Sequence, residues 1–399
     1  MRTMKILSII TKGLVATVSL AVLAVTAGGW WTYRTATDNL ATDDVIVPDT
    51  GQPSANGSPL PLRREPQDTT ILLVGLDSRT DNQGNPLPRE LLAQLQAGNA
   101  TGEQNTDTMI VIHIPADPTK KAWGLSLPRD SYVDIAGGFG RHKLNSAYAR
   151  AKVSTANQLR GQGKDAATVD RESTTAGRRN LIATINTLTG LRIDHYAEIN
   201  LLGFSEITNS VGGVPVCLNE PVRDSYSGAN FAAGRQTLQG VDALRFVRQR
   251  HGLTNGDLDR VRRQQAFLAG LANRMFSAGT LTDPARITGL VNALTKAVVL
   301  DKGWDLLSFA QQLGGLSAGN VQFETIPTGR INLSTSDGSA VEVNPSQVRQ
   351  FVQDLLVPPV PPARGSRETP NAKKIDMQEK VQKIASVEPI NAGAIPCVD

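Results

Sequence analysis

Short apolar runs alternate with longer amphipathic stretches from about residue 70 onward. Continuous apolar runs over 70–75, 109–114 and 122–127 predict three strands that are buried on both faces. A short turn-like segment, 115–121, separates the second run from the third. We expect these two strands to be antiparallel neighbours, because a parallel crossover needs about a dozen residues or more.

Further strands and helices interleave over the rest of the chain. Apolar runs predict strands over 193–199 and 214–218. Helical spacing predicts helices over 89–96, 178–188, 201–211, 259–276 and 345–356. Gly212 and Gly213 are expected to stop the third of these helices, and Asn344 and Pro345 to cap the start of the last. The polar segment 152–176 is expected to be mostly a mobile loop with some helix. This interleaving predicts an α/β fold, a single domain with a central mixed β-sheet flanked by helices.

The N-terminal region predicts a membrane anchor. Residues 13–31 form an uncharged stretch of 19 residues, and as a helix it would span roughly 28 Å, close to the hydrocarbon thickness of a bilayer. Arg2, Lys5 and Lys12 precede it, which favours a cytoplasmic N-terminus over 1–12, and Trp30 and Trp31 lie where an aromatic belt belongs. A cleaved signal peptide is the alternative, although its apolar region is usually only about 7–15 residues long. Either interpretation places the remaining chain outside the cytoplasm, and the anchor makes it a single-pass cell-membrane protein.

Composition outside the anchor suggests further boundaries. Residues 32–66 are rich in Thr, Asp, Pro, Gly and Ser and resemble a flexible extracytoplasmic stalk, which leaves 67–357 for the folded domain. A Pro-rich tail follows over 358–399. In an oxidising compartment, Cys217 and Cys397 are expected to form a disulfide that ties this tail back, and two unrelated buried thiols are the alternative.

Overall composition excludes several classes of function. The hydrophobic content of 40% argues against wholesale disorder. The net charge of +4 is too small to indicate nucleic-acid binding, and the predicted topology also argues against a nucleic-acid partner. Two cysteines and four scattered histidines lack zinc-type spacing. The chain contains neither a Gly-x-Ser-x-Gly motif nor a Walker-type loop.

Polar residues cluster where the first three predicted strands begin or end. The first strand runs into Asp77 and Arg79, Asp107 precedes the second, and the third runs into Arg129. If the three strands are antiparallel neighbours, these side chains converge at one sheet edge. Carboxylates hold a hard Mg²⁺ ion and guanidinium groups bind phosphate, so together they indicate a diphosphate site, although each residue alone is more simply a turn or cap residue.

Arginines are concentrated further along the chain. Six lie between positions 245 and 263. Alternation over 245–250 predicts a strand with Arg248 and Arg250 on one face, and helical spacing places Arg260, Arg263 and Gln264 together. So much like charge in one place costs free energy unless an anion resides there. A solvated basic face and a patch for anionic lipid are the alternatives.

The ordered motifs resemble those of the LytR-CpsA-Psr family of bacterial cell-wall polymer ligases. The resemblance covers roughly residues 67 to 300, and the anchor is also in place. The matching segments are 71–79, 106–109, 125–133, 143–148, 193–196, 203–204, 212–215, 244–250 and 260–264. One departure is Asn105, at a position where family members often carry an arginine.

Membership of this family implies a LytR-CpsA-Psr-type domain with a long apolar pocket for a polyprenyl tail. It also implies catalytic roles for Asp77, Asp107 and Arg129, with the two aspartates holding Mg²⁺ (or Mn²⁺) or activating an acceptor hydroxyl. The implied pyrophosphate-binding residues are Arg79, Arg129, Lys143, Arg245, Arg248, Arg250, Arg260 and Gln264.

The implied activity is that of a phosphotransferase that moves a glycopolymer from a polyprenyl-pyrophosphate carrier to a peptidoglycan acceptor. Water in place of the acceptor would give pyrophosphatase activity. Cys397, matched to Cys217, resembles actinobacterial members, which favours arabinogalactan or a similar wall glycan as the polymer. A membrane-anchored regulator and a non-catalytic binder of polyprenyl-linked sugars are the alternative functions.

Overall fold

The computed structural model describes residues 40–46, 67–80, 86–94, 105–254, 256–276, 298–314, 316–357 and 388–399. The helices in these ranges are α1 Arg89–Gln94, α2 Ser146–Gly161, α3 Ala166–Thr189, α4 Leu201–Ser210, α5 Gly240–Arg248, α6 Asp257–Phe276, α7 Leu306–Gly314 and α8 Pro345–Leu356. Short 3₁₀ turns cover Ala136–Gly138 and Ala318–Asn320.

The strands in these ranges are short, and eight of the seventeen belong to one sheet. Their bounds are β1 Ala41–Asp43, β2 Thr69–Leu76, β3 Thr106–Ile114, β4 Ala122–Ser126, β5 Ser131–Ile135, β6 Gly140–Lys143, β7 His195–Ile199, β8 Val214–Leu218, β9 Val222–Asp224, β10 Ala229–Phe231, β11 Gly234–Leu238, β12 Val298–Asp301, β13 Val321–Thr325, β14 Leu333–Thr335, β15 Gly338–Glu342, β16 Ile390–Asn391 and β17 Cys397–Val398.

An eight-stranded mixed sheet lies at the centre of the described part of the chain, in the order β1-β12-β7-β2-β3-β4-β13-β16. Strand β2 pairs antiparallel with β3, and β3 pairs antiparallel with β4. The predicted α/β class with a central mixed sheet and the predicted antiparallel neighbours are therefore confirmed. Smaller sheets have the orders β11-β8-β17, β14-β15-β5-β6 and β10-β9.

The central strands separate a helical core from a second apolar region. Because side chains alternate along a strand, Leu72 and Val74 of β2 point to the opposite face from Leu73 and Gly75. Leu72 and Val74 pack into a core cluster that also contains Leu181 of α3. Leu73 and Gly75 line a cavity on the other face. A strand that is apolar on both faces thus supports two different compartments.

Helix α6 closes the second compartment by packing closely on β8. A Cβ atom at Gly270 would lie 2.1 Å from the carbonyl oxygen of Pro215, so only glycine fits there. Phe246 of α5 and Phe267 of α6 belong to the cluster between these elements. Helices α5 and α6 are therefore held against the small β11-β8-β17 sheet.

Helix ends agree closely with the expectations from sequence. The Asn344 side chain accepts hydrogen bonds from the backbone of Ser346 and Gln347 at the start of α8, with Pro345 in its first turn. Helix α4 is followed by Gly212 and Gly213, whose φ angles are +74° and +84°. The predicted cap and stop are both confirmed.

Two predicted segments differ from the structure. Residues 152–176, expected to be largely loop, lie mostly in α2 and α3. Their contact is made by small or isolated apolar side chains, Ala156, Leu159 and Val169, which give a weak periodic signal. Residues 245–250, expected to be a strand, begin in helix α5. Ala243, Leu244, Phe246 and Val247 are buried at positions i, i+1, i+3 and i+4, which is a helical pattern. The six residues 245–250 contain only two of these four positions, too few to reveal it.

Both ends of the described chain join the sheets. Strand β1, within the expected stalk, pairs in parallel with β12. At the other end, β16 pairs with β13 and β17 pairs with β8, so backbone pairing as well as the cysteine holds the end of the tail. The expected disulfide between Cys217 and Cys397 is present in the structure.

The predicted anchor over 13–31 lies outside the described residues. Within the described ranges, none of the helices has both the length and the apolar character needed to cross a bilayer.

Candidate active site

A cavity of about 440 Å³ lies between the face of β2, β3 and β7 and helices α4, α5 and α6. Most of its wall is apolar. The apolar lining residues are Leu73, Leu76, Ile110, Ile199, Leu201, Phe204, Ile207, Leu244, Val247, Phe267, Leu268 and Leu271. Seven of the ten residues that the sequence assigns to catalysis or pyrophosphate binding also line it: Asp77, Asp107, Arg129, Arg248, Arg250, Arg260 and Gln264.

Strand pairing places the acidic residues beside each other. Leu76 of β2 pairs with Thr106 of β3, and the Asp77 amide donates to the carbonyl of Asn105 at 3.3 Å. Asp77 leaves β2 at the edge where Asp107 enters β3. This is the convergence at one sheet edge that the antiparallel arrangement predicts.

Arg129 connects the third strand to this edge. It follows β4, and its Nη1 donates to Asp107 Oδ1 at 2.7 Å. Its Nε lies 3.5 Å from Asp257 Oδ1 and 3.7 Å from Asp130 Oδ2. Burial acts to lower the pKa of Arg129, but the charges of Asp107, Asp257 and Asp130 outweigh it and raise the pKa. The guanidinium group is therefore fixed among carboxylates at the floor of the cavity.

Helices α5 and α6 bring the later cations to the same cavity. Arg248 is the last residue of α5 and Arg250 follows in an exposed turn. Arg260 and Gln264 lie one turn apart on α6, and Gln264 Nε2 donates to the carbonyl of Val247 at 3.3 Å. The grouping of Arg248 with Arg250 comes from the end of a helix, since the predicted strand is absent.

Asp257, in the first turn of α6, is a site residue to which the sequence analysis assigns no role. Its side chain is 11% exposed and contacts both Arg129 Nε and Arg260 Nη2. Burial raises the pKa of Asp257, while Arg260 and Arg129 act to lower it. Its distance in sequence from Arg129 left no signal for this pairing.

Several buried polar atoms of this region have no hydrogen-bond partner among the described residues. Asp77 Oδ1 and Arg260 Nε are two of them, whereas Arg129 Nε and Arg260 Nη2 are held by ion pairs with Asp257. Arg260 is 4% exposed, and burial lowers its pKa despite the charge of Asp257. Unsatisfied buried donors cost free energy, typically about 1–3 kcal/mol each. Such donors facing a cavity suit an anion with several oxygen atoms.

The two aspartates are suited to a divalent cation whose remaining ligands would be phosphate oxygens of the substrate and water. Asp77 Oδ1 is buried without a partner, and Asp107 lies beside it. In the described ranges, no group of three or more His, Cys, Asp and Glu side chains could hold a metal ion alone. Mg²⁺ is commonly held by one or two carboxylates together with phosphate oxygens and water, so two aspartates are sufficient.

Lys143 contacts the site only indirectly. It ends β6, and its Nζ lies 3.2 Å from Asp130 Oδ1. It is not among the cavity-lining residues, so it reaches the site through Asp130 and Arg129.

Two other predicted phosphate ligands also lie away from the cavity wall. Arg245 donates to Asp242 and to the carbonyl of Gln94, both at 2.9 Å, because the helix turns its side chain toward α1. Arg79 follows Asp77 but is not a lining residue.

Arg263, expected beside Arg260, is buried and donates to Gln249 Oε1 and the carbonyl of Asp399.

Further lining residues were missed by the sequence reasoning. Asp224, Tyr226, Ser227 and His251 also line the cavity; Asp224 and Ser227 are buried, and Tyr226 and His251 are exposed. They come from the β9–β10 turn and the segment after α5, and neither carries a motif.

Comparison with known proteins gives one family. The profile of the LytR_cpsA_psr family matches residues 36–355. The cell wall biosynthesis protein LcpA of Corynebacterium glutamicum is 46% identical over 314 residues, which is 78% of this chain and 60% of LcpA. The probable cell wall biosynthesis protein LcpB of the same organism is 35% identical over 65% of this chain and 54% of LcpB. This chain thus spans little more than half the length of these two relatives.

A more distant relative has a more specific name. The polyisoprenyl-teichoic acid–peptidoglycan teichoic acid transferase TagU of Enterococcus faecalis is 28% identical over 56% of this chain and 59% of TagU.

Solved structures share the fold. Bacillus subtilis TagV superposes with a TM-score of 0.53 at 22% identity, covering 73% of this chain and 98% of TagV. A LytR-Csp2A-Psr enzyme from Actinomyces oris gives a TM-score of 0.53 at 20% identity, covering 79% of this chain and 95% of that enzyme.

Proposed function

The chain belongs to the LytR_cpsA_psr family, and on that basis we propose that it transfers a glycopolymer from a polyprenyl-pyrophosphate carrier to a peptidoglycan hydroxyl. The names of LcpA and TagU support cell-wall synthesis and transfer of a lipid-linked polymer. Neither name specifies the polymer that this chain transfers. We propose arabinogalactan or a similar wall glycan, on the actinobacterial resemblance alone.

The observation that carries the proposal is the unsatisfied polar end of an apolar cavity. Arg260 Nε and Asp77 Oδ1 are buried without hydrogen-bond partners among the described residues, and both residues line the cavity together with Arg129. The remaining wall is made largely of aliphatic and aromatic side chains from β2, α4 and α6. A molecule with a diphosphate joined to a long hydrocarbon matches both parts.

In this arrangement the pyrophosphate is bound by the polar residues that line the cavity, Arg129, Arg248, Arg250, Arg260 and Gln264. Asp77 and Asp107 would hold Mg²⁺ or Mn²⁺, which when bound would neutralise charge on phosphate oxygens. Because guanidinium groups form paired hydrogen bonds with phosphate oxygens, Arg129 and Arg260 can orient the phosphorus that is attacked.

The proposed reaction is a displacement at the phosphorus that bears the polymer. The acceptor hydroxyl oxygen forms a bond to this phosphorus as the bond to the bridging oxygen breaks, and polyprenyl phosphate leaves. Asp77 or Asp107 accepts the hydroxyl proton. Arginine side chains stabilise the charge that develops on the leaving oxygen. Water in place of the acceptor would hydrolyse the pyrophosphate.

We also propose that residues 13–31 anchor the chain in the cell membrane, with the described domain outside the cytoplasm. Ala41 of β1 pairs with Val299, which pairs with Glu198, which pairs with Val74 of β2. These pairings make β1 antiparallel to β2, so the chain enters β1 from the edge that carries Asp77. The nine residues 32–40 reach at most about 30 Å. An anchor there would keep the cavity near the bilayer that holds the lipid.

The experiment measures polyprenyl phosphate released by the full chain in detergent, with Mg²⁺, a polyprenyl-pyrophosphate-linked glycan and a peptidoglycan acceptor. Arg248→Ala should reduce transfer by about 100-fold or more, since it removes one charged contact to the reacting phosphates. Arg171→Ala removes an arginine whose side chain is 69% exposed on α3 and should leave transfer unchanged. Circular dichroism should show both variants folded.

Full transfer by Arg248→Ala would contradict the proposal. Binding of the lipid without release of polyprenyl phosphate by the unaltered protein would instead support a non-catalytic binder.

A further inference from the structure

We propose that Tyr226 and His251 form a platform that binds the first sugar of the lipid-linked glycan. Their rings stack with centroids 4.2 Å apart and planes at 27°. This inference rests on the proposed function, because it assigns the sugar-binding part of the same site. The ligand class is a pyranose attached directly to the pyrophosphate.

The exposure of Tyr226 is unusual for a large side chain in this fold. It is 72% exposed, although both Tyr226 and His251 line the cavity. His251 covers one face of the phenol ring, and the high exposure leaves the other accessible. A flat aromatic face with water around its edge suits a sugar, whose C–H face is apolar and whose hydroxyl groups stay hydrated.

The platform is held in place by a built turn. Buried Asp224 accepts hydrogen bonds from the amide of Tyr226 at 2.9 Å and from the hydroxyl of Ser227 at 2.7 Å. Gly228, with φ +73°, allows the chain to return into β10. On the other side, buried Gln249 donates to the carbonyl of His251 at 3.1 Å. The backbone at both Tyr226 and His251 is therefore held by hydrogen bonds to buried side chains.

The position relative to the arginines identifies the occupant. His251 directly follows Arg250, and both line the same cavity as Arg248. In a lipid-linked glycan, one phosphate of the pyrophosphate carries the prenyl chain and the other carries the sugar. The two groups therefore extend in different directions. The prenyl chain suits the apolar wall that contains Phe204 and Leu268. The sugar then lies toward the open, exposed side, where Tyr226 and His251 are found.

The test compares two probes: geranylgeranyl pyrophosphate, and the same lipid pyrophosphate carrying one N-acetylglucosamine. Dissociation constants are measured by calorimetry with the full chain in detergent. Tyr226→Ala should weaken binding of the sugar-bearing probe by roughly 3- to 10-fold, the range typical of an aromatic contact, and leave the sugar-free probe unchanged. Tyr226→Phe keeps the flat face and should bind both probes like the unaltered protein.

Further variants separate the possible outcomes. Tyr226→Leu keeps bulk without a flat face and should behave like Tyr226→Ala, and His251→Ala should weaken the sugar-bearing probe in the same direction. Equal binding of both probes by Tyr226→Ala and the unaltered protein would overturn the platform. So would equal weakening of both probes, or a change in the KM of the peptidoglycan acceptor alone.

The failure of this inference can be told apart from failure of the proposed function. Arg248→Ala should weaken both probes, because both carry the pyrophosphate. If Arg248→Ala leaves both probes unaffected, the pyrophosphate site itself is wrong. If only the Tyr226 variants have no effect, the pyrophosphate site stands and the sugar lies elsewhere.

Discussion

Asp77 and Asp107 are neighbours at one sheet edge, yet they have different surroundings. Asp107 Oδ1 accepts a hydrogen bond from Arg129 at 2.7 Å, whereas Asp77 Oδ1 is buried without a partner among the described residues. A carboxylate oxygen that a guanidinium group already holds is less available as a ligand to a metal ion. We infer that Asp77 provides the oxygen available for chemistry, while Asp107 mainly fixes Arg129.

This difference predicts that replacing Asp107 lowers stability more than replacing Asp77, while both replacements reduce transfer to a similar extent. Asp107→Asn removes a charged partner from Arg129 and should cost roughly 1 kcal/mol, a reduced figure because Asp107 is 30% exposed. Asp77→Asn should leave stability close to that of the unaltered protein. Each should reduce transfer by about 100-fold or more.

Urea unfolding and polyprenyl phosphate release measure the two effects. Titration with Mg²⁺ should show a higher half-saturating concentration for Asp77→Asn. A large loss of stability in Asp77→Asn, with none in Asp107→Asn, would reverse the two roles.

At the scale of elements, strand β1 is joined to the sheet by a buried ion network. Arg178 of α3 donates to Asp43 Oδ2 at 2.6 Å, to Glu198 Oε1 at 2.7 Å and to Glu198 Oε2 at 3.0 Å. Tyr196 also donates to Glu198, at 2.7 Å. One arginine thus connects the strand that follows the predicted anchor to a central strand and a core helix. Replacing it leaves buried carboxylates without their counterion.

Arg178→Met should therefore destabilise the protein by about 3–5 kcal/mol at neutral pH, the range for breaking a buried ion pair. Urea unfolding measures this loss. Arg171→Met, on the same helix and 69% exposed, is the matched control and should change stability little.

The same network predicts a dependence on pH. Burial acts to raise the pKa of Glu198, but the charge and hydrogen bonds of Arg178 outweigh it, so the pKa lies below its ordinary value of 4.5. Glu198 therefore stabilises the folded state above pH 4.5, and this contribution is lost as the pH falls through the lowered pKa. In Arg178→Met, burial alone would raise the pKa of Glu198. The difference in unfolding free energy between the unaltered protein and Arg178→Met should therefore decrease as the pH falls. An increase in this difference on acidification would contradict the account.

At the scale of the whole molecule, the last described residues support the segment that carries Arg248 and Arg250. Cys397 is bonded to Cys217 across a sequence separation of 180 residues. The Asp399 carbonyl accepts from buried Arg263, which also donates to Gln249, between Arg248 and Arg250. Burial lowers the pKa of Arg263 to about 10. The C-terminal segment thus reaches the site through two side chains.

Removing the disulfide should affect both folding and transfer. A Cys217→Ala/Cys397→Ala double variant should lose about 2–5 kcal/mol, since a long loop is no longer closed in the unfolded chain. Transfer should fall roughly 10-fold, because the arginine turn is less firmly held. Urea unfolding and the release assay provide both values.

Reducing agent serves as the control for the double variant. It should produce the same changes in the unaltered protein and none in the variant. Undiminished transfer by the double variant would show that the turn keeps its position without this support.

The sequence by itself determined most of the local elements and pointed to seven of the residues that line the cavity. The runs over β2, β3 and β4 had the length and continuity of buried strands, and the short loop between the last two required antiparallel pairing. Asn344, Pro345 and the Gly212–Gly213 pair fixed helix ends through backbone chemistry that depends only on neighbouring residues. Ordered motifs then identified Asp77, Asp107 and Arg129 as site residues.

Only the tertiary structure decided which of the candidates meet. Residues 245–250 satisfy both a strand and a helix pattern, and packing of Phe246 against Phe267 accompanies the helical one. Because these residues form a helix, Arg245 contacts the end of α1 and Arg248 lines the cavity. The contacts of Asp257 with Arg129, of Tyr226 with His251 and of Arg178 with β1 join residues far apart in sequence. Periodicity records which face of its own element a side chain occupies and carries no information about the neighbour that packs there.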